Sequence, residues 1–268
     1  MKNSGWVPRA LSALAASAIL ATCAPIAAAA PPPRVAAQSP VAVGVTRAVM
    51  AVPGRPVRVD LYASGDFVSQ TNLVQCVGAS MQMMLNMIRS TDDRTAATQL
   101  RLFDLARSLR DPTAPAGAQH PGASAAGWAA GLTAAGAGTY EVLGAATLDS
   151  ALTLAASAIE RTGRPVGLLM WQGAHAWVMS GFEATADPAT DASARVTAVR
   201  VLDPLYPRIV GAPWGPGPAP DARLSVPELA RVFVPYRPHG RTVALRSRFV
   251  LVLPVAPTLT SRLQLRAS

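Results

Sequence analysis

Residues 70–88 read QTNLVQCVGASMQMMLNMI. From Cys76 onward the segment is made of good helix formers, and its apolar positions (Val77, Ala79, Met81, Met83, Met84, Leu85, Met87, Ile88) run almost all round a helical wheel. That pattern predicts a helix over 76–89 that is buried on nearly every side. Cys76 stands at its head, with Gln70 six positions upstream in the preceding loop, and it is the one cysteine beyond Cys23. A thiol placed at the mouth of a buried helix, with only its sulfur end open to solvent, asks for a chemical reason.

The first thirty residues set the compartment. MKNSGWVPRA carries Lys2 and Arg9 and no acid; an apolar, small-residue stretch follows and ends before Pro31. A basic start, an apolar middle and a small-residue exit form the layout of a secretory signal, with cleavage expected after Ala28 or Ala29. Two other readings stay open. The stretch approaches the roughly 20 apolar residues of a membrane anchor, although it is mostly alanine and holds Pro25. LATC, ending at Cys23, faintly resembles a lipoprotein signal. No later segment is apolar and long enough to cross a bilayer, so no stable membrane insertion is expected after signal removal.

Loss of residues 1–29 removes two of the 24 basic residues and none of the 15 acidic ones, which turns a net charge of +9 into +7. The remaining positive charges are all arginine and are dispersed, not blocked into a run. A dispersed positive balance favours solubility and weak attraction to anionic surfaces, and no nucleic-acid-binding motif accompanies it. Exported domains often use even numbers of cysteines as staples. One remaining thiol allows no internal disulfide, and about 240 residues can bury a core without one.

The chain reads as one domain behind a lead. Residues 30–55 are rich in Pro, Ala and Val and predict an extended arm; 56–256 form the domain, and 257–268 a tail. VRVDLY (57–62) alternates and predicts a strand. Beyond the Cys76 helix, helices are predicted within 92–109, after acids suited to a helix start, and over 124–135 and 147–161. Residues 111–124 read as a loop. RPVGLLMWQG, AHAWVMSGFEA and ARVTAVRVLDP then predict strands between 164 and 204. A Pro/Gly loop over 211–222, a short helix at SVPELARVF and a last strand over 243–253 complete the pattern. Helices first and strands later predict an α+β fold with an antiparallel sheet. There is no internal repeat, and neither GAGTY nor GAPWGPGPAP has the context of a phosphate loop.

The chemistry follows from Cys76. Thiols attack as thiolates, and the positive end of a helix favours the anionic form of a cysteine in its first turn. A base is then needed. His175 enters a predicted strand and can present one ring nitrogen to the sulfur. Its other nitrogen needs an acceptor that fixes the tautomer. Asp203 ends the next predicted strand, so two neighbouring antiparallel strands would bring the pair together. The Cys76 N–H and the Gln70 side-chain amide can supply donors to a developing oxyanion.

Taken singly, each residue has a plain structural reading as well. Cys76 could be an inert core thiol, His175 a satisfied strand histidine, Asp203 the start of a turn before Pro204, and Gln70 a loop residue bonding backbone. The methionines read as core filler, Trp171 and Trp177 as core packing ahead of a substrate platform, and His120 and His239 as surface residues.

In the order Cys, His, Asp, with a glutamine six residues before the cysteine, the chain resembles the papain-like cysteine peptidases. It is more closely similar to the family of bacteriocin-leader-processing peptidases and their secreted relatives. The matching pieces are QTNLVQCVGASMQMMLNMI, GRPVGLLMWQGAHAWVMSGFE and VRVLDP, spanning residues 70–204. The resemblance implies a papain-like fold with Cys76 as nucleophile, His175 as general base and acid, Asp203 as the residue orienting it and Gln70 as oxyanion donor. It implies a peptide or protein substrate and no metal or organic cofactor. Val77 stands where the family commonly has Gly or Trp, and Gln75 where a small acid or amide is frequent. Both positions shape the cleft, so substrate preference does not transfer. Amidase or transpeptidase chemistry on the same residues, or a catalytically idle domain binding peptide or a surface partner, are the alternatives.

Overall fold

In the computed structural model the sheet is assembled from strands far apart in the chain. The structure describes residues 54–109, 121–208, 216–237 and 244–256, all within the compact unit Met50–Ser268. The expectations for the signal segment, for nearly all of the arm and for the C-terminal tail lie outside the described residues, as do His120 and His239.

The fold is α+β with an antiparallel sheet. Its strands are β1 (Val57–Asp60), β2 (Tyr140–Ala145), β3 (Val166–Met170), β4 (His175–Ala184), β5 (Val196–Leu202), β6 (Ala222–Ser225) and β7 (Phe249–Pro254), in the spatial order β2-β7-β3-β4-β5-β6. Strand β4 is long enough for two partners along one edge. It pairs with β3 over residues 175–179 and with β1 over 181–184, while β5 takes the other edge.

The helices are α1 (Cys76–Arg89), α2 (Ala96–Ser108), α3 (Ala125–Ala134), α4 (Leu148–Thr162) and the single turn α5 (Val226–Leu229). Their starts follow the side-chain chemistry of the residues before them. Thr95 caps α2 and Ser124 caps α3 by accepting the N–H of Thr98 and Gly127; Thr147 and Ser150 form a reciprocal capping box on α4. Gly163, at φ 62°, closes α4 in the left-handed conformation that glycine adopts without steric cost.

Both faces of the sheet are covered, which is why its inner strands read as continuous apolar runs. Met81, Met83 and Met84 of α1 and Trp128 and Leu132 of α3 pack with Ala176, Val178, Val250 and Val252 on one face. Leu152, Ala155 and Ile159 of α4 pack with Leu168, Trp177, Met179, Val201 and Leu251 on the other. Successive residues of β4 alternate between these clusters, as the pleat requires. Sealing α1 between the sheet and α2 and α3 explains its all-round apolar surface: Val77 through Asn86 are buried without a break. The methionines and both Trp171 and Trp177 belong to the cores.

Three elements differ from the sequence expectation. Strand β2 was not predicted; TYEVLG is a short alternation between two helices, and its partner β7 lies more than a hundred residues away, beyond the reach of a local pattern. The helices therefore do not all precede the strands. Ala222–Ser225, within the predicted loop and helix start, forms edge strand β6 on β5. The last strand begins at Phe249 and not at 243, because Leu245 to Arg248 turn back on Tyr236. Among the described residues no helix is long and apolar enough to cross a membrane.

Gly167 on β3 sits under the indole of Trp128, where an added Cβ would lie 2.6 Å from the ring. Trp128 is fully buried and has no room to retreat. Gly167→Ala should therefore destabilise the protein by about 1–3 kcal/mol, read as a lowered urea midpoint. An unchanged midpoint would mean that α3 is not tied to the sheet there.

Candidate active site

The site is built where α1 begins, β4 begins and β5 ends. Cys76 is the first residue of α1, a free thiol and half-buried. No side chain caps this helix, and no acid occupies its first turn. The Gln75 Oε1 accepts a bond from the Thr71 hydroxyl instead. The positive helix end is thus left to the sulfur instead of being answered by a local carboxylate. Ser80, one turn further on, donates to the carbonyl of Ala176 at 3.3 Å and fixes α1 against the first residues of β4.

His175 opens β4 and is 4% exposed. Its Nε2 lies 2.7 Å from Asp203 Oδ1. A carboxylate has no hydrogen to give, so Nε2–H donates, and the Cys76 thiol is close enough to act on the ring's charge. Nε2 is thus committed to Asp203, which leaves Nδ1 as the ring's other nitrogen. Register explains the meeting: β4 and β5 pair antiparallel with Val178 opposite Leu202, which carries Asp203 back alongside the start of β4.

The turn ahead of His175 is unusual. Trp171 and Gln172 have φ of 54° and 61°, followed by Gly173 at 105°. Left-handed conformations at non-glycine residues cost on the order of 1–3 kcal/mol each and persist where surroundings over-determine them. Here the Trp171 N–H donates to the Val232 carbonyl and the Arg237 N–H to the Gln172 carbonyl, while the Tyr236 ring closes over Gly173. The result lays the Trp171 ring against the imidazole, 4.5 Å between centroids and 26° from parallel. Trp171 is 6% exposed, so it acts as a wall for His175 and not as an open platform.

Asp203 is fully buried. Its Oδ1 also accepts the Leu205 N–H at 2.8 Å, so the residue both starts a turn and orients the histidine. Its Oδ2 has no protein hydrogen-bond partner, and Gly217 closes over it; a Cβ at 217 would lie 2.3 Å from that oxygen. Burial works against a charged imidazole at 175. The hydrogen bonds from Asp203 and Cys76, and the charges of both, outweigh it and raise the pKa from 6.5 to about 9.

Gln70 is brought to the same place by its backbone, whose N–H donates to the Pro204 carbonyl at 2.7 Å. Its side chain is 1% exposed. One N–H of Nε2 donates to the Asn72 carbonyl at 2.6 Å, which leaves the second, and Oε1 is buried without a hydrogen-bond partner. The backbone-bonding reading of Gln70 is thus met by half of its amide. All four residues singled out in the sequence gather here. Trp171's stacking, the Gly217 seal and Gln99, which bonds to the Gln70 loop, were not assigned to the site from sequence. For Gln99 a signal was there: it lies one turn before Leu102 and Phe103 on the apolar face of α2.

Cavities of about 540 and 480 Å³ lie elsewhere, the first between α1 and α2 around Leu85, Arg89 and Arg101, the second around Leu61 and Met87. Neither reaches Cys76. Cys76 itself is half-buried, and Leu73 in the loop before it is 74% exposed. Among the described residues there is no group of three or more His, Cys, Asp or Glu side chains placed to hold a metal ion. No protein-family model, curated protein or solved structure matches the chain.

Because folding raises the proton affinity of His175, its contribution to stability is complete below about pH 6.5 and drains away as the pH rises through about 9. Urea midpoints of the wild type should fall across that window, and those of His175→Gln should not. Parallel curves would show that the charged imidazole is not held by Asp203 and Cys76.

Proposed function

We propose that the chain is a secreted cysteine peptidase of the papain-like kind, hydrolysing peptide bonds through Cys76, His175 and Asp203. The observation that carries this reading is the gathering of a half-buried thiol at the head of α1, a buried imidazole whose charge it influences, and a fully buried carboxylate 2.7 Å from that ring. A purely structural histidine has no need of a thiol nearby as well as a sealed aspartate on one nitrogen.

In this mechanism His175 takes the Cys76 proton, which makes the thiolate. The thiolate attacks the peptide carbonyl, and the C=O electron pair moves onto oxygen, where the Cys76 N–H and the free N–H of Gln70 Nε2 receive it. Collapse of the intermediate breaks the C–N bond. His175 gives its proton to the leaving amine and a thioester remains. Neutral His175 then takes a proton from water, the hydroxide attacks the thioester, and release of the acid returns the thiolate and the imidazolium. Asp203 keeps Nε2–H in place throughout, so that Nδ1 always faces the sulfur.

The test is alkylation by iodoacetamide at about pH 6, where an ordinary thiol of pKa about 8.5 is protonated. Cys76 should be labelled rapidly, and His175→Ala should abolish the acceleration. Labelling no faster than that of a free thiol would overturn the peptidase reading and leave an idle domain that binds peptide or a surface partner. Once a substrate is in hand, Gln70→Ala should slow turnover about 100-fold, the usual effect of losing one oxyanion donor, without unfolding the protein. A normal rate would remove Gln70 from the mechanism. Product analysis with added amines separates hydrolysis from amide transfer.

A further inference from the structure

Gln99 lies in the first half of α2 and is 1% exposed. It spends both ends of its amide on the loop that carries Gln70. Its Oε1 accepts the Thr71 N–H at 2.8 Å, and its Nε2 donates to the Ser69 carbonyl at 3.1 Å. The two main-chain partners are the residues on either side of Gln70. We propose that Gln99 is a positioning residue for the Gln70 amide, and through it for the oxyanion formed at Cys76; this rests on the peptidase reading above.

Three observations carry the inference. The first is that the orientation of the Gln99 amide is fixed by its partners. A donor faces its oxygen and a carbonyl faces its nitrogen, so turning it over would lose both bonds. Next, α2 is held against the nucleophile's own helix at this residue. Gly78, two residues after Cys76, has no Cβ; one added there would lie 2.7 Å from the Gln99 carbonyl oxygen and 2.9 Å from Phe103 Cβ. The head of α2 is tied down as well, because Gln82 of α1 donates to the Asp93 and Thr95 carbonyls. Gln99 therefore transmits the position of α1 to the loop. The last observation concerns Gln70 itself. Its side chain has a single hydrogen bond, to Asn72, and its Oε1 has none, so the direction of the amide is set by the backbone beneath it. That backbone is clamped from one side by Gln99 and from the other by the Asp203 turn, through Gln70 N–H to Pro204 and the Ser69 hydroxyl to Tyr206 at 2.7 Å. The clamp thus joins the elements bearing Cys76 and Asp203 through one short loop, with Gln70 at its middle.

The test separates oxyanion formation from thiol reactivity. N-acetylglycinal, which has no side chain to misfit, adds to a reactive thiolate: sulfur bonds to the aldehyde carbon, and the carbonyl electron pair becomes an oxyanion that is then protonated by His175. Alkylation by iodoacetamide displaces iodide and forms no oxyanion. Protection of Cys76 from iodoacetamide by the aldehyde gives its affinity. Gln99→Ala should weaken that affinity about 10- to 100-fold, the range expected when a catalytic group is displaced by about 1 Å. The alkylation rate without aldehyde should stay within about twofold. In a Gln70→Ala background Gln99→Ala should have no further effect, since groups acting through one another are not additive. Gln99→Glu, which keeps the Thr71 bond but sets a carboxylate oxygen against the Ser69 carbonyl, should be at least as weak. Gln99→Met, close in shape and unable to form either bond, replaces Gln99→Ala if that variant does not fold.

Unchanged aldehyde affinity overturns the proposal, as does an equal loss in the alkylation rate or full additivity with Gln70→Ala. A wild-type thiol no more reactive than a free one, or one that the aldehyde does not protect, is seen before any variant is made. The former overturns the peptidase reading itself, and the latter the oxyanion site on which this proposal depends.

Discussion

The pairing of β4 with β5 is the constraint on which the rest of the arrangement depends. Its register decides that the first residue of one strand and the residue after the other share a corner of the sheet, so a histidine and an aspartate 28 positions apart lie 2.7 Å from each other. A slip of one residue would turn each side chain to the opposite face. Burial anchors the pairing on both faces: Val178 and Leu202 belong to one core and Met179 and Val201 to the other. The same corner receives the head of α1, because Ser80 hooks that helix onto the Ala176 carbonyl. The groups of the candidate site are thus placed by hydrophobic packing and not by their own polar contacts alone.

Much of this was legible in the sequence where the deciding force is local. The all-round apolar surface of residues 77–88 foretold a helix sealed between layers, and its observed limits, Cys76 and Arg89, are those predicted. The acids and threonine before α2, the serine before α3 and the Thr-Leu-Asp-Ser start of α4 each carry their own capping chemistry. The apolar runs around 166–184 and 196–202 gave the strands that bear His175 and precede Asp203. What escaped were features whose cause lies far away in the chain. TYEVLG becomes a strand because β7 offers it an edge, and ARLS because β5 does. Neither segment holds enough alternating residues to announce itself.

The candidate site divides in the same way. Cys76, His175, Asp203 and Gln70 were found by residue type and order, since thiol, imidazole, carboxylate and amide are chemically distinct. The groups that hold them were not. Trp171 became a wall for the imidazole through two left-handed residues that no pattern foretells, and Gly217 earned its place by having no side chain to strike Asp203. Gln99 is a buried polar residue on an apolar helix face, and that kind of anomaly is visible in sequence only to a reader asking where its hydrogen bonds go.

Strand β7 lies between β2 and β3 although it is the last of the described strands in chain order. Until residues 249–254 join, β2 has no sheet neighbour and a gap separates it from β3. The corner that joins imidazole to carboxylate stands two strands from that gap. A chain lacking residues 249–254 has one edge of β3 unpaired and both hydrophobic layers open along a seam. Completion of the sheet, and with it a rigid seat for the thiol, therefore waits on residues 249–254, whatever has formed before them.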